Sequence, residues 1–114
     1  MVTIDILLVE DDPCLRAMLS LELEEEGHRV EDFSSAEAAL AQVQPAADLA
    51  IVDYGLPGMD GLALLGRLRR RCPDLPVLII SSHHPPWEGI GRARFLGKPF
   101  YREQLLWEIE ALLN

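Results

Sequence analysis

An open parallel α/β sheet covered by helices on both faces is the fold class this sequence predicts, on three observations. Short apolar segments rich in branched residues alternate with amphipathic segments along the chain. The apolar segments are nearly continuous rather than alternating, as strands buried on both faces require. With 114 residues there is room for one core, and a single domain over 1–114 is expected.

The first strand is read at Ile4–Val9 (IDILLV) and ends in the acidic cluster Glu10-Asp11-Asp12. Asp12-Pro13 reads as a helix start. An Asp side chain accepts from the free N–H groups of a first turn, and Pro13 has the φ and missing donor suited to the first helical position. Leu15, Met18, Leu19 and Leu23 follow at helical spacing, and Gly27 supplies a stop. His28–Phe33 alternates and is the second strand. Ser34, with Glu37 three residues on, has the form of a capping box opening an Ala-rich helix that ends near Pro45.

Asp48–Val52 is the third strand and delivers Asp53 at its carboxyl end. Gly55, Pro57, Gly58 and Gly61 mark a loop, after which Leu62–Arg71 reads as a helix with Leu62, Leu65 and Leu68 inward. Pro76–Ile80 is the fourth strand and runs into Ser81-Ser82. His83–Arg94 contains Pro85-Pro86 and two glycines and shows no convincing period. Phe95-Leu96-Gly97 reads as a very short fifth strand before Lys98-Pro99, and Arg102–Leu113 as the final amphipathic helix. No internal repeat, linker or low-complexity segment interrupts the pattern.

Charge narrows the function classes. Nineteen acidic against ten basic residues give a formal net charge of −9, which argues against direct nucleic-acid binding, because phosphate neutralisation needs an excess of Lys and Arg. Nine of the ten basic residues are Arg, and Lys98 is the sole lysine. The longest apolar stretches fall well short of the roughly 20 residues a membrane span needs, and no charged segment precedes an apolar one at the start. Neither a membrane span nor a signal peptide is expected. Cys14 and Cys72 share no metal-binding spacing and read as reduced thiols of a cytoplasmic protein.

The polar residues that can do chemistry converge on one edge. Ligands of open α/β sheets bind beyond the carboxyl ends of the strands. Glu10, Asp11 and Asp12 follow the first strand, Asp53 the third, Ser81 and Ser82 the fourth, and Lys98 the fifth. Carboxylates gathered at one place repel each other unless a cation joins them. Hard oxygen ligands suit Mg²⁺, which takes one or two carboxylates and keeps waters. A carboxylate nucleophile, a divalent cation, an ammonium and a hydroxyl together can hold a phosphoryl group on an aspartate. Asp12 reads as a helix cap rather than a member of that set.

These residues carry a resemblance to the receiver domains of two-component response regulators. The matching stretches are IDILLVEDDPCLR at 4–16, DLAIVDYGLPGMDG at 48–61, LIISS at 78–82 and FLGKPF at 95–100. The resemblance implies a flavodoxin-like sheet in the order 2-1-3-4-5. It implies Asp53 as phosphoacceptor, with Glu10 and Asp11 as the acidic pair at Mg²⁺, Asp11 directly and Glu10 through water. The carbonyl of Gly55 is implied as a backbone metal ligand, Ser81 as the hydroxyl residue, and Lys98 as the family's lysine, with a candidate cis bond to Pro99. Phosphotransfer from a sensor histidine kinase or histidine phosphotransfer protein is implied, and an in-line water later hydrolyses the acyl phosphate. A switch follows in which the Ser81 position moves toward the phosphoryl group and an aromatic residue on the fifth strand turns inward. Phe95 stands there; lacking a hydroxyl, it reads equally as a switch residue or as plain core.

The sequence departs from the family in one segment. Lys98 lies 17 positions after Ser81, where family members usually carry enough chain for a complete helix. Pro85-Pro86 sits where that helix would begin, so a shortened or irregular segment is expected. Ser82 replaces a commonly smaller residue beside the phosphoryl site. The adjacent His83 and His84 read as exposed, although His83 could order water there. Leu56 stands for a more usual Met. Trp107 lies about 200° around the last helix from Ile109 and should miss the core stripe of Leu105, Ile109 and Leu112. With Trp87 from the shortened segment it suggests a homodimer or output-partner surface, unless Trp87 folds back over the surface left bare. Arg67, Arg69, Arg70 and Arg71 read as a solvated helix end favoured by the helix dipole.

The expected function is a phosphorylation-dependent signalling receiver, not a metabolic enzyme. The alternative is a receiver-like interaction module that no longer depends on phosphate. A Mg²⁺-dependent phosphohydrolase is a weaker reading, since Gly55 stands where a second acid–base aspartate would be required.

Overall fold

The computed structural model describes residues 3–42, 47–82 and 91–114. Among these, strands and helices alternate as β1 (Asp5–Val9), α1 (Pro13–Glu25), β2 (Arg29–Phe33), α2 (Ala36–Gln42), β3 (Leu49–Asp53), α3 (Gly61–Arg71), β4 (Val77–Ser81), β5 (Ala93–Gly97) and α4 (Arg102–Leu113). The strands form one parallel sheet in the order β2-β1-β3-β4-β5. Strand order therefore reverses between β1 and β3, the point at which α1, following β1, and α3, following β3, leave for opposite faces and a cleft opens at the strands' carboxyl ends.

Alternate side chains of each strand serve separate cores. Ile6, Leu8, Ile51, Ile80 and Leu96 pack with Leu19 and Leu23 of α1 and with Leu105, Ile109 and Leu112 of α4. Leu7, Val9, Val52 and Ile79 point to the other face, against Ala36 and Ala39 of α2 and Leu64, Leu65 and Leu68 of α3. The central strands β3 and β4 are buried at every position, so their sequences are apolar almost throughout. The strand most open to solvent is β2, at one edge of the sheet, where Arg29, Glu31 and Asp32 are exposed. Among the described residues no helix is long and apolar enough to cross a membrane.

Caps explain the helix starts at the site. The Asp12 side chain accepts from Cys14 N–H at 3.0 Å and Pro13 opens α1. Asp60 caps α3 by accepting from Ala63 N–H at 2.8 Å. The expected capping residue of α2 is corrected: Ser35, not Ser34, accepts from Ala38 N–H, at 3.1 Å. Three further expectations change. Met18 is 44% exposed, because the inward stripe of α1 runs through Leu19 and Leu23 while Ser20 turns in to bond Asp32. Leu62 is only half-buried, with Leu64 taking the inward place. And β5 starts at Ala93, two residues before the predicted strand, held by ladder pairing to β4 from Val77↔Ala93 onward. The irregular-segment expectation, with His83, His84 and Trp87, lies outside the described residues.

Candidate functional site

The sheet register brings the expected site residues to one edge. Asp53 is the last residue of β3, beside Ile80 of β4, and Ser81 follows, beside Gly97 of β5. Lys98 comes next along β5, and its N–H donates to the Ser81 carbonyl at 2.8 Å. Across the reversal point, Glu10 leaves β1 with its N–H still bonded to the Phe33 carbonyl of β2 at 3.0 Å. Glu10 is fully buried, Asp53 and Ser81 are 6% and 4% exposed, and Asp11 faces solvent. The geometry is that of a lined floor with one carboxylate at its mouth.

Lys98 links the two sides. Its Nζ lies 3.0 Å from Glu10 Oε1 and 3.4 Å from Asp53 Oδ1. The second oxygen of Glu10 accepts from Asp12 N–H at 3.0 Å, and Arg16 Nη1 donates to the Glu10 carbonyl at 2.8 Å. Gly55 N–H donates to Asp53 Oδ1 at 3.2 Å. Glu10, Asp11 and Asp53 each offer a carboxylate oxygen, all within 4.8 Å of one another. One ammonium against three carboxylates leaves the cluster negative, and hard oxygen donors in this number suit a divalent cation of the Mg²⁺ type. The donor set fits.

Burial pushes the Glu10 carboxyl up to about 7, and the neighbouring Asp53 charge adds to the rise; the Asp12 N–H and the Lys98 ammonium oppose it without prevailing. For Lys98 burial works the other way, but the Glu10 and Asp53 carboxylates outweigh it and hold the ammonium above its ordinary value. A raised carboxyl means that the native chain holds the Glu10 proton more tightly than the unfolded one. The Glu10 contribution to stability in metal-free buffer therefore falls as pH rises from about 4.5 to about 7. Denaturant melts across that range should show this slope, and Glu10→Gln should flatten it.

The same repulsion predicts the sign of a second change. Asp53→Asn removes one like charge from the cluster, and in chelator it should raise stability by about 1 kcal/mol, roughly 4 °C in Tm for a domain of this size. A lower Tm would show that the Asp53–Lys98 pairing outweighs the repulsion.

Other expected residues have definite places. The Lys98–Pro99 bond is cis. Phe95 is half-buried, with its ring beside Gly97. Trp107 is 61% exposed on α4 and lies under the Arg94 guanidinium, 5.2 Å from its ring centroid, while Arg94 also pairs with Glu108 at 2.7 Å. Leu96, Glu103, Gln104, Trp107 and Glu108 line a shallow groove there.

Sequence reasoning took Gly61 as a loop marker and missed its role in packing. It is buried at the start of α3, its N–H donates to the Tyr54 carbonyl at 2.9 Å, and a Cβ there would lie 2.7 Å from Tyr54 Cα and 2.9 Å from the Asp53 carbonyl oxygen. The available signal was a glycine directly after the capping Asp60, at a helix position where glycine is otherwise unfavourable.

Residues 6–110 match the family profile described as the response regulator receiver domain. The chain is 40% identical to the two-component response regulator PhoP of Pseudomonas aeruginosa over 115 residues, covering 96% of this chain and 51% of that protein. It spans about half the length of the PhoP proteins it matches. Among solved structures, the chemotaxis protein CheY4 of Vibrio cholerae superposes with a TM-score of 0.90 at 28% identity, covering 98% of this chain and all of that one (100%). The response regulator TrrA of Thermotoga maritima, solved in complex with Mg²⁺-BeF, gives a TM-score of 0.85 at 26% identity, over 97% of this chain and 100% of that one.

Proposed function

The chain belongs to the response regulator receiver domain family, and from that membership we propose that Asp53 accepts a phosphoryl group from a phosphohistidine of a sensor kinase or histidine phosphotransfer protein. Receiver domains are signalling modules of two-component systems rather than metabolic enzymes. The observation that carries the residue assignment is Lys98 Nζ lying between Glu10 and Asp53, whose carboxylates are within 4.8 Å of that of Asp11, at the reversal of strand order.

In this reading an Asp53 oxygen attacks phosphorus, forming the O–P bond as the P–N bond to the histidine breaks, and the imidazole leaves with that electron pair. Lys98 turns its ammonium from the two carboxylates to the transferring oxygens, and the Ser81 hydroxyl donates to another. The Asp11 and Asp53 carboxylates, the Gly55 carbonyl and, through water, Glu10 would hold Mg²⁺, which when bound would neutralise charge on the phosphoryl oxygens. Water later hydrolyses the acyl phosphate. Ser81 and Phe95 carry the change to the β5–α4 face, where the exposed Trp107 offers a surface for an output partner or a second copy. The same reading puts residues 1–114 in the cytoplasm as one domain, its two cysteines reduced.

Incubation with a small phosphodonor and Mg²⁺, followed by intact mass spectrometry, tests the assignment. One added phosphate is expected on the wild-type chain and none on Asp53→Asn. No addition to the wild type would favour an interaction module independent of phosphate, and addition to Asp53→Asn would move the acceptor elsewhere.

A further inference from the structure

The carbonyl of Glu10 has left the sheet. The β1 strand ends at Val9, so beyond it only the Glu10 N–H keeps a ladder-type bond, to Phe33. Arg16 takes up the carbonyl with its Nη1, at 2.8 Å. It does so from the first turn of α1, where its own N–H donates to the Asp12 carbonyl at 2.9 Å. The guanidinium is braced from the far side: Arg16 Nε lies 3.8 Å from Asp32 Oδ1, and Asp32 Oδ2 accepts from the buried Ser20 hydroxyl at 2.9 Å.

A peptide unit is planar. A donor fixed on the Glu10 carbonyl therefore also fixes the Asp11 N–H, and with it ψ of Glu10 and φ of Asp11. Those two dihedrals aim the two neighbouring carboxylates. A third bond, Asp12 N–H to Glu10 Oε2 at 3.0 Å, closes the turn from its other end.

We infer that Arg16 is a positioning residue that locks the Glu10–Asp11 peptide so that both side chains face one divalent cation, Asp11 directly and Glu10 through water. The inference rests on the reading of Glu10, Asp11 and Asp53 as the metal cluster. Arg16 acts through the carbonyl it holds. Its charge works in the opposite direction, since a cation beside the cluster repels a second cation. The sign of a substitution thus separates the two effects: loss of charge alone tightens metal binding, and loss of positioning weakens it.

Mn²⁺, another hard cation, is the probe, titrated into the full chain with free Mn²⁺ read by electron paramagnetic resonance; the site is identified by its loss in Asp11→Asn. Partners that orient metal ligands typically contribute about 10- to 100-fold in affinity, and Arg16→Ala is expected to bind about tenfold more weakly, at the low end of that range because the bond is to the backbone. Arg16→Lys, which keeps the charge and one donor, should fall between that and the wild type. Melts in chelator establish that each variant is folded. Equal or tighter Mn²⁺ binding by folded Arg16→Ala overturns the inference. If Arg16→Ala does not fold, Arg16→Lys carries the test, and wild-type affinity in that variant overturns it. Absence of Mn²⁺ binding by the wild type, or its persistence in Asp11→Asn, overturns instead the metal-cluster reading.

Discussion

Lys98→Ala should slow phosphorylation of Asp53 by about a hundredfold, the usual effect of removing one donor to a developing anion, while metal binding is retained or tightened. The two signs differ because Lys98 does different things to the two ligands. Its ammonium, 3.0 Å from Glu10 and 3.4 Å from Asp53, attracts phosphoryl oxygens and repels a divalent cation from the same carboxylates. Initial rates of mass addition and an independent Mn²⁺ titration measure the two effects separately. An unchanged rate would remove Lys98 from contact with the phosphoryl group.

The stability of Lys98→Ala follows from Glu10. Breaking a buried ion pair by deleting one partner commonly costs about 3–5 kcal/mol, because the other charge is left buried. Glu10 has a way out: with its carboxyl already raised to about 7, it can stay neutral at that pH for little. The cost of Lys98→Ala should therefore be small near neutrality and grow by about 1.4 kcal/mol per pH unit above it. Urea melts at successive pH values check the slope, and a pH-independent loss would contradict it.

Gly61→Ala should both destabilise the chain and impair phosphorylation, although alanine is the better helix former by about 1 kcal/mol. The new methyl would meet Tyr54 Cα at 2.7 Å and the Asp53 carbonyl oxygen at 2.9 Å. Both are backbone atoms that cannot step aside as a flexible side-chain end can. Overpacking of this kind costs about 1–3 kcal/mol, which exceeds the helix gain. The displaced peptide is the one that follows Asp53, and misplacing a reacting group by about 1 Å can cost up to a hundredfold in rate. Gly66, in the same helix, meets nothing within 4 Å. Gly66→Ala should therefore stabilise by up to about 1 kcal/mol and leave phosphorylation unchanged. Equal effects at both glycines would show that helix propensity, not the contact with Tyr54, decides.

Much of this molecule was legible from local pattern. The runs at Ile6–Val9 and Leu49–Val52 are apolar throughout because both faces of β1 and β3 are covered, and that is visible in a few consecutive residues. Asp12-Pro13 announced the start of α1 for a reason confined to one turn. Boundaries were less legible where the deciding bond is distant. Ala93 and Arg94 became strand through pairing with Val77 and Leu78, and nothing in their own neighbourhood marks them as such. Met18 has the right spacing for the core, but the direction of α1 over the sheet turns it to solvent.

The sequence by itself determined the alternation of strands and helices and the placing of Glu10, Asp11, Asp53, Ser81 and Lys98 at strand ends, because both depend on residue type and short-range period. Only the tertiary structure decided what these residues do to one another. It set Lys98 against Glu10 across 88 positions of chain, buried Glu10 completely, brought Arg16 onto the Glu10 carbonyl and pressed Gly61 on the peptide after Asp53. Each of these is a distance of a few ångströms between segments that the strand order and register bring together, and no local pattern encodes such a distance.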